Sequence, residues 1–468
     1  MDAIPTPFGF FESAGQHDTA PRRVGFRGVR HSRAVRNFEY ALQHLNDVLI
    51  GMFVVIQNDH VIQLLQANIR TGPGFGLCYC FHDDRLLIWI RLSYMTMAMT
   101  VHSSKFDLPT PALLVDLDRF ESNLRKMQVA VTRSGKQLRP HAKAHKCVEI
   151  ARRQVKAGAI GVCVATLSEM QWMNSAGFDV LLTTPVASRS KTDHIASLAK
   201  SGNNIRVVVD HPDQVRLYQD SAVRVGARIP VLVDLDIGDH RTGIPCDERA
   251  IALARQIAGS SNLRFSGLQA YSVSGSHTEG DVERRDHSTL AIAQAIAIQR
   301  ALLEAGFDAR TLTGASTGTW NIDTTIPEVT EIQAGSYPLM DVAYRRIIGD
   351  DFEPAMTVLA TVISASHPDR VTVDAGYKSF ATDRPFGPDP VGLEGVRWQW
   401  GGDEHGILHL EKPSHAIRLG DQIEFIPPHC DPTVNLYDRI HATRGDRVVE
   451  VWPTKGNPGM GKEFVINH

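Results

Sequence analysis

The stretch Arg139–Cys147, RPHAKAHKC, joins a run that predicts a β-strand, KQLRPHAK, to a run that predicts a helix, KCVEIARRQVKAG. Lys143 therefore lies where a strand ends and its loop begins, and in (β/α) barrels that end of the strand carries the chemistry. A lysine there is suited to form a Schiff base, because burial and neighbouring cations make an ammonium lose its proton more easily. His141, His145 and Lys146 supply the polar and positive neighbours. A solvated basic loop is the alternative that these residues alone leave open.

Outward from this stretch, short runs rich in Val, Ile and Leu alternate with amphipathic helical runs. Eight of the short runs predict strands: KQLRPHAK, GVCVATL, DVLLTTP, IRVVVD, PVLVDLDIG, FSGLQAYS, ARTLTGAST and EVTEIQAGSY. Eight alternating β and α units over about 240 residues are typical of a TIM-like (β/α)8 barrel. We expect this barrel over residues 105–345. A doubly wound open sheet has the same alternation and remains an alternative.

The character of the sequence changes after residue 345. The runs AMTVLATVISAS, DRVTVDAGYKS, GILHLE, DQIEFIPP and DRVVEVWP are strand-like and are separated by Gly, Pro and Asp turns. They predict a C-terminal all-β domain over residues 346–468, joined in space by the first strand of the regular pattern, LPTPALLVDL. The helical run after that first strand, DRFESNLRKMQVAVTRS, is expected to be capped by Asp118.

Residues 1–104 do not show this alternation. Their apolar runs, DVLIGMFVVIQNDHVIQLLQ and LLIWIRLSYMTMAMTV, contain charged residues and are too short or too broken for a membrane span. The pattern of a signal peptide is not recognisable either. We expect an N-terminal appendage, either an accessory segment or sequence translated from a start codon assigned too far upstream.

Composition and charge narrow the possible partners. The 468 residues carry a net charge of -3 and are 43% hydrophobic, so neither nucleic acid nor a membrane surface is expected as a partner. The six cysteines form no CxxC pair, which argues against a zinc knuckle or a disulfide framework. A reducing, cytoplasmic location is therefore expected.

Two loops rich in glycine and small hydroxyl residues follow the seventh and eighth predicted strands. Barrels often bind phosphate at these loops, because glycine lets backbone N–H groups approach the ligand and Ser and Thr add donors. The candidate residues are Gly314, Ser316, Thr317, Gly318 and Thr319 in TGASTGTWN, and Gly335, Ser336 and Tyr337 in AGSY. Either loop alone can be an ordinary turn, whereas the pair predicts a phosphate site.

Further polar residues follow other strands. Arg241 ends the run DIGDHRTG, where it can be a surface ion-pair partner or face the ring nitrogen of a bound pyridine, and Tyr271 and His277 follow the sixth strand. In the β domain, His429 and Asp431 lie two residues apart and would point to the same side of an extended segment. An imidazole with a carboxylate suits Zn²⁺ or Mn²⁺. A hydrogen-bonded pair in a solvated turn is the alternative.

The motifs RPHAKAHKC, DIG..RTG, GLQAY, the STGT loop, QAGSY, DAGYKS and HCDPTVNLYD occur in one order over residues 105–460. Together they resemble the D-threonine aldolase and D-serine dehydratase family of alanine-racemase-like (fold type III) pyridoxal-phosphate enzymes. The resemblance implies a barrel with a β domain, pyridoxal 5'-phosphate on Lys143 rather than Lys146, and Arg241 facing the pyridine nitrogen. It also implies that the two glycine-rich loops grip the phosphate and that His429 and Asp431 bind a divalent metal ion, Mn²⁺ or Zn²⁺.

The metal motif and its surroundings bear on the reaction. The form HCD resembles the aldolases, whereas the dehydratases more often carry H-x-C. Two positions depart from the aldolases: Ser272 stands where they have a histidine, and Ala315 stands where they have a glycine. His277 still matches a substrate-side histidine.

The resemblance thus implies a metal-dependent lyase for 3-hydroxy-D-amino acids, which cleaves D-threonine-like substrates to glycine and an aldehyde. A dehydratase acting on D-serine or D-3-hydroxyaspartate, giving a 2-oxo acid and ammonia, is the alternative. An amino-acid racemase is a further alternative, although a racemase would not need the pair His429 and Asp431. A small D-amino acid is the expected substrate, and a homodimer is the expected assembly.

Overall fold

The computed structural model describes residues 104–454 and three strands nearer the N-terminus. The chain divides into two compact units, Met1–Ala98 and Met99–His468. In the first unit, an antiparallel sheet with the order β1-β3-β2 is formed by β1 (Phe53–Ile56), β2 (Phe75–His82) and β3 (Arg85–Leu92). The rest of the predicted appendage, apart from Ser104, lies outside the described residues.

The second unit begins with β4 (Ala112–Asp116) and continues into a parallel sheet. The strands of this sheet are β5 (Gln137–Leu138), β6 (Val162–Val164), β7 (Val180–Leu182), β8 (Ile205–Val209), β9 (Ile229–Asp236), β10 (Ile244–Pro245), β11 (Leu263–Ala270), β12 (Leu312–Gly314) and β13 (Glu331–Ile332). Their order is β5-β13-β12-β11-β9-β8-β7-β6, with the short β10 beside β9. A parallel bridge between His141 and Cys163 closes the ring between β5 and β6. The predicted (β/α)8 barrel is therefore confirmed, and the open doubly wound sheet is excluded.

Helices follow the strands of this unit. They are α1 (Leu117–Arg133), α2 (Val148–Lys156), α3 (Leu167–Ser175), α4 (Arg189–Lys200), α5 (Pro212–Val225), α6 (Glu248–Gly259), α7 (Val273–His277), α8 (Asp281–Glu304), α9 (Trp320–Asp323) and α10 (Val342–Ile348). No helix in the described part of the chain is both long and apolar enough to cross a membrane.

Helix α1 shows how the sequence pattern becomes structure. Phe120 and Leu124 are buried one turn apart on the face that packs against the core. The N-cap is Asp116, whose carboxylate accepts the backbone N–H of Asp118 at 2.9 Å. The prediction that Asp118 caps this helix is therefore wrong, because the chain is already helical at Leu117 and Asp118 lies in the first turn.

The barrel lumen is filled by side chains from neighbouring strands. Cys163, Leu181, Val208 and Leu232, one from each of β6 to β9, form a separate fully buried cluster. Inward-pointing residues of successive strands stack in such layers in (β/α)8 barrels, so the lumen is a packed core and not a channel.

An ionic layer lies at the end of the barrel where the strands begin. The guanidinium of Arg139 is buried and donates to Glu331 at 3.0 Å and to Asp179 at 2.6 Å. Arg206 donates to the other oxygen of Glu331 at 3.0 Å. Buried ions in such a layer stay favourable only while every charge keeps its partners.

Arg139→Met is expected to lower the free energy of unfolding by about 3 kcal/mol, because buried Glu331 loses one of its two arginine partners. Urea unfolding followed by circular dichroism measures this change. Arg310→Met serves as the control, since its ion pair with Asp308 is exposed and its removal should leave the unfolding midpoint unchanged. Equal effects of both variants would contradict the importance of the buried layer.

The C-terminal sheet is built from β14 (Met356–His367), β15 (Arg370–Val373), β16 (Asp389–Pro390), β17 (Val396–Trp400), β18 (Gly406–Leu410), β19 (Gln422–Ile426), β20 (Arg439–Arg444) and β21 (Arg447–Pro453). Its main order is β17-β18-β15-β14-β4-β20-β21. Strand β4 pairs antiparallel with β14 and parallel with β20, so the first strand joins this domain as predicted. The domain is not purely β, because a short helix, α11 (Cys430–Val434), interrupts it.

Candidate active site

Lys143 lies in a single 3-10 turn, Ala142–Ala144, that follows barrel strand β5. The ring of His141 holds the turn: its Nδ1 accepts the backbone N–H of Lys143 at 3.4 Å, and its Nε2 lies 3.0 Å from the hydroxyl of Thr183. Burial and the nearby Lys143 ammonium place the pKa of His141 well below its usual value. His141 is therefore a neutral support for the lysine.

The charge on Lys143 is balanced by the β domain. Burial alone would lower the pKa of Lys143, but the carboxylate of Asp431 and the phenol of Tyr271 raise it above its usual value. Burial and Arg241 act in the direction that the sequence argument predicts, whereas Asp431 and Tyr271 act against it.

Arg241 and Tyr271 lie beside Lys143, as the sequence predicts for residues that follow neighbouring strands. The Tyr271 ring lies near two cations, with its centre 6.0 Å from Lys143 Nζ and 5.5 Å from Arg241 Cζ. Arg241 is exposed and makes no ion pair within residues 104–454. By contrast, Lys146 donates to Asn435 at 2.8 Å, which directs it toward the β domain.

The two glycine-rich loops after β12 and β13 are joined to each other. The hydroxyl oxygen of Thr317 accepts the backbone N–H groups of Ser336 and Tyr337 at 3.0 and 3.1 Å. A Cβ atom on Gly335 would lie 2.9 Å from the carbonyl oxygen of His141, so this loop adjoins the turn that carries Lys143. The structure thus brings both loops to the lysine.

Close backbone contacts require glycine at two positions of the first loop. A Cβ on Gly314 would lie 1.9 Å from the carbonyl oxygen of Ala270, and a Cβ on Gly318 would lie 2.0 Å from that of Ser276. Ala315 adopts a left-handed conformation with φ 70°, which costs a non-glycine residue about 1 kcal/mol. A glycine would adopt this conformation without that cost.

Several side chains of the loops hold the loops themselves. The hydroxyl of Ser316 accepts the backbone N–H of Gly318 at 3.0 Å, and the hydroxyl of Thr319 donates to Asp323 at 2.5 Å. Burial raises the pKa of Asp323 to about 6. These hydroxyls shape the two loops, and they accept the backbone N–H groups of Gly318, Thr319 and Ser336 in the structure.

Tyr337 is the predicted site residue whose side chain points elsewhere. Its hydroxyl accepts a hydrogen bond from Gln154 at 3.3 Å, and its buried ring packs against Phe352 at 5.8 Å between centroids. Only the backbone of Tyr337 borders the phosphate loops. A direct contact of its side chain with a cofactor is therefore not supported.

Helix α11 carries the predicted metal pair. His429 is its N-cap, and Asp431 lies in its first turn, so the segment is not extended as the sequence argument assumed. Both residues nevertheless approach the mouth of the barrel. Ser336 donates to Asp431 at 3.2 Å, and the ring of His429 lies 6.5 Å from that of His277.

The donor atoms of this pair suit a divalent metal. His429 Nδ1 is hydrogen-bonded to Asp383 at 2.7 Å, which leaves Nε2 as the ligand atom. Burial alone would raise the pKa of Asp431, but Lys143 and His429 hold it below its usual value, so it is a carboxylate. No set of three His, Cys, Asp or Glu side chains with ligand geometry occurs among the described residues. A two-residue site leaves coordination positions for water or substrate.

His277 and Ser272 stand at the two ends of the short helix α7. Burial, followed by the charges of Arg384 and His429, lowers the pKa of His277 to about 4, so its ring is neutral. Its buried Nδ1 has no hydrogen-bond partner within residues 104–454. Ser272 is the N-cap, accepting the N–H of Gly275 at 3.0 Å. The serine that replaces a histidine therefore supports the helix that ends at His277.

Sequence reasoning missed two residues of this region, Asp383 and Arg384. They lie in the loop between β15 and β16, a few residues after the motif DAGYKS, and Asp383 is 46 residues from His429. The only available signal was the general rule that a metal-binding histidine uses its second nitrogen to bond a carboxylate or carbonyl. That rule does not say which carboxylate.

A (β/α)8 barrel with a lysine after its first strand and a β domain at its mouth defines the alanine-racemase-like class of pyridoxal-phosphate enzymes. Residues 115–340 match the alanine racemase N-terminal domain, and residues 355–443 match the putative serine dehydratase domain. The two matches follow the barrel and the C-terminal sheet.

Relatives define the family within this class. The chain is 38% identical to a D-threonine aldolase from Arthrobacter sp, over 73% of this chain and 91% of the relative. It is 32% identical to a 3-hydroxy-D-aspartate aldolase from Paracoccus denitrificans (strain Pd 1222), over 74% and 92% of the two chains. The crystal structure of D-threonine aldolase from Filomicrobium marinum superposes with a TM-score of 0.72 at 38% identity, covering 75% and 97%. The chain therefore belongs to the D-threonine aldolase and D-serine dehydratase family and is a pyridoxal-phosphate-dependent lyase.

Proposed function

We propose that this enzyme cleaves 3-hydroxy-D-amino acids such as D-threonine to glycine and an aldehyde. Lys143 would hold pyridoxal phosphate, and His429 and Asp431 would hold a divalent ion, Mn²⁺ or Zn²⁺. The observation that carries the proposal is that Asp431 accepts a hydrogen bond from Ser336 at 3.2 Å, in the loop that adjoins the turn of Lys143, while the ring of His429 lies 6.5 Å from that of His277. When bound, the cofactor supplies an electron sink for the Cα–Cβ bond, and the metal polarises the β-hydroxyl.

The residues around Lys143 fit the cofactor. The guanidinium of Arg241, which has no ion pair among the described residues, is available to the pyridine nitrogen, and the ring of Tyr271 lies near both Arg241 and Lys143. The two glycine-rich loops, which Thr317 joins beside the turn of Lys143, are the proposed phosphate site, and a bound phosphate would compete with their hydroxyls for the backbone N–H groups.

The protein's own residues account for the proton movements. The neutral ring of His277 is the proposed acceptor of the β-hydroxyl proton as the aldehyde forms. After the Cα–Cβ bond breaks, Cα needs one proton to become glycine. Lys143, freed once the substrate amine has taken its place on the cofactor, would be the proton donor, with its ammonium stabilised by Asp431. One proton leaves oxygen and one reaches carbon, so the cleavage balances.

Dehydration is the second candidate, favoured by the match of residues 355–443 to the putative serine dehydratase domain. In that reaction a base, here Lys143, removes the Cα proton and the β-hydroxyl leaves as water. The product then hydrolyses to a 2-oxo acid and ammonia. Both reactions use the same residues, and they differ in which Cα bond stands perpendicular to the cofactor ring.

A product assay separates these reactions. Metal-loaded enzyme given D-threonine is expected to form glycine and acetaldehyde, and D-serine given separately serves as the comparison substrate. Ammonia from both substrates without glycine from D-threonine would replace the aldolase by the dehydratase. Interconversion of D- and L-alanine would favour the racemase instead. Homodimer formation and a cytoplasmic location stay predictions, testable by light scattering and by cell fractionation.

A further inference from the structure

A pocket opens at the end of the barrel where the strands begin, opposite the strand ends that carry the candidate active site. Its volume is about 540 Å³, within the range of sites that bind small organic molecules. Polar and charged lining residues lie at or just before the starts of β7, β8, β9, β11 and β12, which are neighbours in the barrel: Asp179, Asn204, Arg206, Arg228, Arg264 and Thr311. We call this cavity the strand-start pocket.

Both carboxylates that line the strand-start pocket already have cationic partners. Asp179 accepts a hydrogen bond from the buried Arg139 at 2.6 Å. Asp308 accepts one from Arg310 at 2.7 Å and a second at 2.9 Å. Neither carboxylate is therefore committed to the other arginines of the pocket.

Two of the three arginines that line the pocket have no such partner. Arg228 and Arg264 are exposed, and neither makes an ion pair or a side-chain hydrogen bond within residues 104–454. The third, Arg206, is held by Glu331 at 3.0 Å as part of the ionic layer. Because the charges of that layer cancel, the free guanidinium groups of Arg228 and Arg264 leave the pocket with excess positive charge.

Strand β11 is irregular where it borders the pocket. Its register against β9 shifts between Phe265 and Leu268, and Gly267 has φ 114°. A Cβ atom on Gly267 would lie 2.4 Å from the carbonyl oxygen of Thr311, so this bulge requires glycine. Bulges of this kind redirect side chains, and here Arg264 and Phe265 both line the pocket. An aromatic ring thus accompanies a free guanidinium.

We propose that the strand-start pocket binds a small organic phosphate monoester whose phosphate is held by Arg228 and Arg264. A phosphate monoester carries a charge of about −1.5 to −2 at pH 7 and has three acceptor oxygens, so it can accept hydrogen bonds from two guanidinium forks. The pocket is larger than an inorganic phosphate, and Phe265 and Pro230 offer apolar surface to the organic part. The inference does not depend on the reaction at Lys143.

The test is isothermal titration calorimetry of the holoenzyme with adenosine 5'-monophosphate as the probe. Saturable binding is expected, and adenosine, which lacks the phosphate, should bind at least about 10-fold more weakly. Arg228→Gln and Arg264→Gln should each raise the Kd of the monophosphate about 10-fold or more, the loss typical of a hydrogen bond between charged groups. Arg397→Gln is the control, because Arg397 is an exposed residue of β17 in the C-terminal sheet, and this variant should bind as wild type does.

Asp308→Asn changes the pocket in the opposite direction. Removal of a carboxylate from the lining should lower the Kd of the monophosphate about threefold, since the anion then meets less repulsion. Circular dichroism spectra identical to that of wild type would show that each variant is folded. Several results would each overturn the inference: no saturable binding to wild type, equal affinity for adenosine, tighter binding of succinate than of the monophosphate, or an unchanged Kd in both arginine variants.

Discussion

Lys143→Ala is expected to give a colourless protein whose activity falls by more than about 10³-fold, the scale seen when a covalent catalytic group is removed. Lys143 is the amine at the barrel mouth with Tyr271 and Arg241 beside it. Absorbance spectra of the purified proteins measure cofactor attachment. Borohydride reduction of wild type followed by peptide mapping should label Lys143.

Lys146→Ala is the matched control, because Lys146 lies three residues away and is directed to Asn435. It should keep the yellow colour. A borohydride label on Lys146, or no label at all, would show that the cofactor assignment is wrong.

Asp431→Ala is expected to abolish both metal binding and activity while the protein keeps its colour. The variant removes one of the two proposed ligands and leaves the cofactor groups in place. Metal content by mass spectrometry and the Kd for Mn²⁺ measure the first effect. Because Asp431 raises the pKa of Lys143, its removal should also lower the pKa of that lysine, readable from the pH dependence of cofactor attachment.

Removal of metal from the wild-type enzyme with a chelator should reproduce the loss of activity seen in Asp431→Ala. Added Mn²⁺ or Zn²⁺ should then restore activity to the wild type but not to the variant. Asp383→Asn, which weakens the support of His429, should reduce metal affinity by about 10- to 100-fold without abolishing it. Full activity in an enzyme shown to be free of metal would rule out the role of this pair.

The barrel was predictable because its strands are short apolar runs buried on both faces, as in β8, where Val207, Val208 and Val209 are fully buried. The N-cap of helix α1 was not predictable from the sequence, because Asp116 and Asp118 are the same residue type. Only the backbone conformation distinguishes them. The sequence HCDP suggested an extended segment. Pro432, however, is tolerated in the first turn of a helix, and α11 begins at Cys430.

The sequence predicted which residues belong to the site better than it predicted the charges and contacts around them. The sequence shows the cations near Lys143, whereas the carboxylate that acts on the same lysine, Asp431, comes from the other domain. Asp383 and Arg384 became visible only when tertiary structure placed their loop beside His429. Local patterns thus identify groups that follow strands, but they do not show contacts between distant segments.

Strand β4 lies in the centre of the C-terminal sheet although it precedes the entire barrel in the chain. During synthesis on the ribosome, its partner β14 emerges only after about 240 further residues, which at typical translation rates takes tens of seconds. The barrel strands can pair during that interval, whereas β4 has no paired strand until β14 has been synthesised. The helix with His429 and Asp431 is translated later still. A nascent chain would therefore contain Lys143 early and the pair His429 and Asp431 late, so the two halves of the candidate site come together only when translation is nearly complete.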